Sequence, residues 1–221
     1  MMVLARDHYR AHRVDLALYT LRGILDGYGP ANPARDPENG EAFYLRGAIY
    51  SEQGMKKQAM EELAYATELR PDLVEAHLIL STYMLEAGNA AGAKPHLEMV
   101  VRFNNLSIPG HLQLGDTYRL LGDIPAAKRE LEWVIAADQQ AVAAHYNLGL
   151  LYLTAKEVPG VSPLEAAEKA IEHLSAYQQK IPRGGPDDVA ELLTRAQSKK
   201  AILELDAEGG DDFAEGDDGF E

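Results

Sequence analysis

Three histidines recur at intervals of 34 residues, at His77, His111 and His145. Histidine is a frequent zinc ligand, so such a series raises the question of a metal site. Equivalent positions on successive packed helices lie at least about 8–10 Å apart, whereas zinc holds its ligands at about 2 Å. One ion therefore cannot bridge two of these histidines. We predict that they occupy a recurring, half-buried packing position and that the chain binds no metal.

Signatures of catalysis are lacking in the sequence. There is no phosphate-cradling glycine loop and no G-x-S-x-G turn, and the absence of cysteine excludes disulfides and thiolate metal sites. The net charge of −14 is concentrated at the C-terminus: nine acidic residues and no Lys or Arg occur from position 204 onwards, which leaves residues 1–203 at −5. Nucleic-acid binding depends on Lys and Arg at the phosphates. We therefore expect no enzyme activity, no cofactor and no nucleic-acid partner.

The elements that position these residues are indicated by a second series with the same spacing, Gly54, Gly88 and Gly122. Each of these glycines follows a small residue by seven positions and precedes an alanine by five and a leucine by nine. This pattern is typical of stacked helix–turn–helix units, in which a glycine ends the first helix and small residues allow close packing. Such units bury their apolar faces only against their neighbours. The sequence therefore predicts an all-α repeat structure.

These landmarks resemble the tetratricopeptide repeat (TPR) family. Residues 40–73 carry the family pattern at Phe43, Gly47, Tyr50, Gly54, Ala59, Leu63, Ala66 and Pro71. The resemblance implies a right-handed α-solenoid of antiparallel helix pairs. A final helix, polar on its outer side, would cap such an array and keep it soluble.

The resemblance and the breaks in the pattern divide the chain into eight segments. We predict a degenerate helix pair over residues 1–31, a loop over 32–39, repeats over 40–73, 74–107, 108–141 and 142–183, a capping helix over 187–206 and a disordered acidic tail over 207–221. The fourth repeat contains a nine-residue insertion. Within it, Ser162, Pro163 and Glu165 form a capping box that predicts a helix start, with the helix extended by one turn after a longer loop.

A peptide-binding groove lined by the first helix of each repeat is the functional surface that the resemblance implies. The positions that would line it are mostly apolar or aromatic and carry one charge: Tyr44, Leu45, Ala48, Leu78, Ile79, Thr82, Leu112, Gln113, Asp116, Tyr146, Asn147 and Leu150. A helix or an extended segment with apolar anchors would suit this surface. The alternative is that helices of the chain itself cover part of it. Chaperone-binding members grip a carboxylate with groove cations, and the corresponding positions here hold none.

The acidic tail places two phenylalanines, Phe213 and Phe220, among carboxylates. This composition cannot form a core. One interpretation is a solubilising tail. A second is a linear motif in which a phenylalanine enters a pocket of a basic partner while the acids steer it. A third is that the tail folds back onto the groove of its own chain.

We predict a non-enzymatic scaffold that binds a protein or peptide, and size and repeat number resemble assembly factors of bacterial surface machines such as pili and gliding-motility systems. One alternative is a regulatory protein whose acidic tail binds a basic partner. Another is an oligomeric accessory subunit, or a homo-oligomer, with a self-occupied groove. No stretch approaches the ~20 apolar residues of a membrane span. Without a recognisable leader we expect a cytoplasmic location, or a periplasmic or lipoprotein one if residue 1 follows a removed leader.

Overall fold

Helices account for most of the described chain, which comprises residues 1–180 and 188–211 of a computed structural model. Eleven helices occur in these ranges and form two compact units, Met1–Gly110 and His111–Glu221. The helices are α1 (Met2–Arg10), α2 (Val14–Leu25), α3 (Gly40–Glu52), α4 (Lys56–Leu69), α5 (Val74–Glu86), α6 (Ala90–Phe103), α7 (Ile108–Leu120), α8 (Ile124–Ala137), α9 (Val142–Thr154), α10 (Pro163–Lys180) and α11 (Val189–Asp211). The prediction of an all-α fold is confirmed.

Short turns join the helices into pairs, and the turn glycines set their geometry. Gly54, Gly88 and Gly122 have φ values of 73°, 73° and 80°. In this left-handed region a side chain is unfavourable, so glycine ends the first helix of each pair and lets the second begin within a few residues. A connection this short makes the paired helices antiparallel neighbours.

Close contact within a pair depends on the small residue at its first helix. A Cβ atom added at Gly47, Gly115 or Gly149 would lie 2.8, 2.7 or 2.6 Å from the Cγ atom of a leucine on the second helix. The three leucines are Leu63, Leu131 and Leu174, all with no exposed surface. Glycine is therefore required for this helix separation, because any side chain would displace a fully buried leucine.

The predicted start of the extended helix is confirmed. Helix α10 begins at Pro163, and the Ser162 hydroxyl oxygen accepts a hydrogen bond from the Glu165 amide at 3.1 Å. It has 18 residues, whereas α8, the second helix of the preceding repeat, has 14. The loop before it is anchored by Val158, which is 4% exposed and belongs to the core of the second unit.

The C-terminal helix differs from the prediction in length and in surface. Helix α11 continues to Asp211, beyond the predicted tail start at residue 207, since Ala207 and Glu208 favour helix and each added residue contributes a hydrogen bond. Its outer side is not uniformly polar: Ile202 and Leu205 are 59% and 67% exposed. Residues 212–221, which include Phe213 and Phe220, lie outside the described residues, as does residue 187. Among the described helices, none has the length and apolar character needed to cross a membrane.

Candidate functional site

Each histidine of the 34-residue series contacts a polar side chain on the second helix of its own pair. His77 and His145 face other histidines, with Nδ1–Nδ1 distances of 2.9 Å to His96 and 3.0 Å to His173. His111 Nδ1 lies 2.7 Å from a carboxylate oxygen of Glu130. His77 and His111 are buried and His145 is half-buried. Among the described residues, no three potential metal ligands form a cluster.

The histidine pair in the first unit has a defined proton arrangement. The Nε2 atom of His77 lies 3.0 Å from the Pro71 carbonyl oxygen, so it must donate its proton there. The neutral ring then accepts at Nδ1, and His96 donates the Nδ1 proton between them. Burial lowers the pKa of both rings, and the neighbouring His77 further lowers the pKa of His96. The pair is therefore neutral at pH 7.

The histidine pair in the second unit is also neutral. Burial, followed by the proximity of His145, lowers the pKa of His173 to about 4. Burial also lowers the pKa of His145, with a smaller contribution from the positive charge of Lys180. These contacts assign the recurring histidines to the packing between paired helices.

Three of the six predicted groove positions in the first unit line a concave surface. Tyr44, Leu45 and Ala48 of α3 line a cavity of about 280 Å³ together with Leu73 at the start of α5. Helix α1 contributes the remaining wall, and the full lining is Arg6, Tyr9, Arg10, Glu41, Tyr44, Leu45, Ala48 and Leu73. We call this surface the N-terminal pocket.

Polar groups at the rim of the N-terminal pocket are held by neighbouring helices. Arg6 forms an ion pair with Glu41, and the Tyr9 hydroxyl donates to the carboxylate of Glu52. That hydrogen bond, with burial and the charge of Glu52, raises the pKa of Tyr9 to about 12. Arg10 is exposed and forms no ion pair within the described part of the chain. One guanidinium group at the rim is therefore available to an incoming carboxylate.

The floor of the N-terminal pocket is aromatic and apolar. Tyr44 is partly buried, and burial raises the pKa of its hydroxyl, as do the negative charges of Glu75 and Glu52. Its ring and Ile79 of α5 pack against the same buried cluster. The two other predicted α5 positions are also half-buried, and the Thr82 hydroxyl donates to the Leu78 carbonyl oxygen at 2.9 Å.

The other six predicted groove positions lie in the second unit. Leu112, Tyr146 and Leu150 pack against its core, and Gln113 and Asn147 are partly buried beside them. The single predicted charge is neutralised, because Arg119 donates to Asp116 Oδ1 from Nε at 2.9 Å and from a terminal nitrogen at 2.6 Å.

Tyr146 is engaged by the chain itself. Its hydroxyl donates to Asp188 Oδ2 at 2.6 Å, immediately before α11, and its ring centroid lies 4.9 Å from that of Tyr177. Burial and then the Asp188 hydrogen bond raise its pKa to about 12. The alternative in which the chain's own residues cover part of the predicted surface therefore applies at this position.

Arg6 and Arg10, the cations beside the N-terminal pocket, were not among the predicted groove residues, because all of those lie on α3 or later helices. Arg6, Tyr9 and Arg10 lie three and four positions apart, so any helix over residues 2–10 places them on one face. The spacing was readable. What the sequence did not indicate is that this face borders α3 rather than solvent.

One family model matches the chain: Tetratricopeptide repeat, over residues 40–73, which contain α3 and α4. Solved structures match over far more of it. YrrB, described as a TPR protein with an unusual peptide-binding site, aligns with a TM-score of 0.67 at 20% identity, covering 88% of each chain.

Two further solved structures align with similar TM-scores and sequence identities. MamA aligns with a TM-score of 0.60 at 21% identity, covering 80% of this chain and 96% of its own. PilW, described as a widely conserved type IV pilus biogenesis factor, aligns with a TM-score of 0.60 at 18% identity, covering 96% of this chain and 92% of its own. At these identities the likeness concerns the fold, and the predicted fold class, an α-solenoid of helix pairs, is confirmed.

Proposed function

We propose that this chain, which matches the tetratricopeptide repeat model at residues 40–73 and has the fold of such proteins, is a non-enzymatic scaffold that binds a partner protein in the N-terminal pocket. The observation that carries the proposal is the cavity of about 280 Å³ between α1, α3 and the start of α5, with an apolar and aromatic floor. Concave apolar surfaces with a few placed polar groups are the usual form of ligand sites. YrrB, which has a peptide-binding site by its description, supports a peptide as the ligand class.

The chemistry of the N-terminal pocket favours a partner with an apolar or aromatic anchor next to a carboxylate. Tyr44, Leu45 and Ala48 offer the anchor a largely apolar floor. Arg10 can donate a charge-assisted hydrogen bond to the carboxylate. The neighbouring Arg6, in contrast, is already paired with Glu41. An amphipathic helix or an extended segment satisfies both requirements.

The finer form of the proposal is a role in assembling a bacterial surface machine. It is supported by the fold likeness to PilW, a pilus biogenesis factor, over 96% of this chain. The groove positions of the second unit are a separate candidate surface for a partner, except at Tyr146, whose hydroxyl is bonded to Asp188.

Substitution of Ala48 by arginine is the direct test. Ala48→Arg places a long charged side chain in the pocket, and we expect it to weaken peptide binding by about 2 kcal/mol, or roughly 30-fold in Kd. The probe is a peptide selected from a random displayed library on the wild-type chain, titrated by fluorescence anisotropy. Ala64→Arg is the matched control, because Ala64 is exposed on α4 and does not line the pocket.

Equal thermal unfolding midpoints of the two variants would establish that the loss is local. The proposal is wrong if the selected peptides bind Ala48→Arg as tightly as wild type, or if both variants lose binding together. Light scattering on the wild-type chain tests the alternative of a self-occupied groove, since a stable oligomer that dissociates in Ala48→Arg would identify the chain itself as the occupant.

A further inference from the structure

A cavity in the second unit lies away from the predicted groove positions. It measures about 540 Å³ and lies between the end of α9 and one side of α11, with Leu153, Ile202 and Leu203 as its apolar lining. Ile202 is 59% exposed and Leu205, one helical turn further on, is 67% exposed. Two large, neighbouring aliphatic side chains with this exposure form an apolar patch rather than isolated surface residues.

The pattern along α11 is that of a helix face prepared for a packing partner. Arg195, Ser198, Ile202 and Leu205 are three, four and three positions apart and therefore share one side of the helix. Gln197 is exposed as well but projects from a different side. We call the surface formed by Leu153, Arg195, Ser198, Lys199, Ile202 and Leu205 the α11 patch.

The edge of the α11 patch is basic. Arg195 is exposed and forms no ion pair with another residue in the described ranges. The Lys199 ammonium group donates to the Leu153 carbonyl oxygen at 3.3 Å, at the last turn of α9, which leaves two of its three protons for another acceptor. Two cations beside exposed aliphatic side chains would suit an acidic segment that carries an apolar anchor.

We propose that residues 212–221 of the same chain dock on the α11 patch, with Phe220 in the cavity and the adjacent carboxylates at Arg195 and Lys199. This segment contains five acidic residues, two phenylalanines and no Lys or Arg. It therefore has both features that the patch requires. Because the segment is covalently attached, it is present at the patch at an effective concentration on the order of millimolar.

Chain length selects Phe220 over Phe213 as the anchor. At 1.5 Å per residue, Ile202 and Arg195 lie about 14 and 24 Å along the axis from the helix end at Asp211. The chain from Asp211 to Phe220 spans up to about 30 Å when extended, whereas Phe213 is at most about 7 Å from that end. Only Phe220 can therefore reach back to the cavity.

Disulfide trapping in the full chain tests this placement, because the protein contains no cysteine of its own. The pair Ser198→Cys with Glu221→Cys should form an intrachain disulfide, since Ser198 lines the cavity. Gln197→Cys with Glu221→Cys is the matched control on another side of the helix. Its loop is one residue longer, so the two loops have nearly equal closure entropy. We expect the first pair to close about tenfold faster.

Substitutions in the tail and the patch sharpen the test. Adding Phe220→Ala or Ile202→Asp should reduce the closure rate of the Ser198 pair to that of the Gln197 pair, while Phe213→Ala should leave it within about twofold. Equal closure rates of the two unmodified pairs would overturn the proposal. Disulfide-linked dimers whose yield rises with protein concentration would also overturn it and would identify a second copy as the occupant. A loss with Phe213→Ala equal to that with Phe220→Ala would reject Phe220 as the anchor.

Discussion

Leu174→Ala is expected to lower the free energy of unfolding of the second unit by about 3 kcal/mol. Leu174 has no exposed surface and lies against Gly149 of the paired helix. Removing its side chain leaves a cavity at the contact between the two helices. Urea unfolding followed by Trp133 fluorescence measures this change, because Trp133 is the only tryptophan and lies on α8 of the same unit.

Substitution of Gly149, which Leu174 contacts, should destabilise the second unit, although helix propensity alone predicts the opposite effect. Alanine normally favours a helix over glycine by about 1 kcal/mol. At Gly149, however, the new Cβ atom would lie 2.6 Å from Leu174 Cγ, so we expect Gly149→Ala to destabilise by about 2 kcal/mol. In the Leu174→Ala background the same substitution should be nearly neutral, because the Cγ atom is absent while the backbone nitrogen of residue 174 remains 3.3 Å from the new Cβ atom.

Additive effects in that double-mutant cycle would contradict the assigned contact. Ala143→Gly supplies the control for propensity, since Ala143 is exposed on the same helix. It should destabilise by about 1 kcal/mol in both backgrounds.

Acidification from pH 7.5 to 5 should destabilise the second unit by about 2 kcal/mol through the pair of His145 and His173. The pKa of His173 is about 4 in the folded chain, against about 6.5 when unfolded. Between these values the unfolded chain binds more protons than the folded one, so stability is fully present above pH 6.5 and falls as the pH approaches 4. The urea midpoint of Trp133 fluorescence, recorded at half-unit intervals, reports this loss.

The third repeat suggests a variant that should remove this pH dependence. There the partner of the recurring histidine is the carboxylate of Glu130, 2.7 Å from His111 Nδ1. His173→Glu reproduces that arrangement beside His145, and a neighbouring carboxylate raises the pKa of a histidine. We expect the urea midpoint of this variant to stay level or rise between pH 7 and 5. A decrease equal to that of the wild type would show that other groups near the pair, such as Glu172, Lys169 or Lys180, cause the effect.

Local geometry made much of the fold predictable from the sequence. A turn glycine such as Gly54 marks a helix end because its left-handed backbone excludes other residues, and Gly47 marks a close contact because a Cβ atom has no space there. The helix start at Pro163 was likewise readable, since capping depends on residues within one turn. Each of these features acts over a few residues.

Features that depend on distant residues were not predictable in the same way. The position of Arg10 at the N-terminal pocket follows from how α1 packs beside α3, and the hydrogen bond from Tyr146 to Asp188 joins residues 42 apart. The length of α11 depends on the balance between continuing a formed helix and the low helix propensity of the glycines at 209 and 210. Residue pattern alone does not determine these outcomes.

The loop between α9 and α10 lengthens the fourth repeat, but the recurring histidine still contacts the second helix of its pair. The partner of the recurring histidine is 19 residues away in the second and third repeats and 28 in the fourth. The nine additional residues change the sequence separation of the two partners, and the fourth repeat keeps the histidine–histidine contact of the second. Lys156 and Glu157 are exposed within this loop, while Val158 remains fixed in the core. The bond between Lys156 and Glu157 is therefore a suitable point to graft an epitope or a fluorescent reporter into the folded protein.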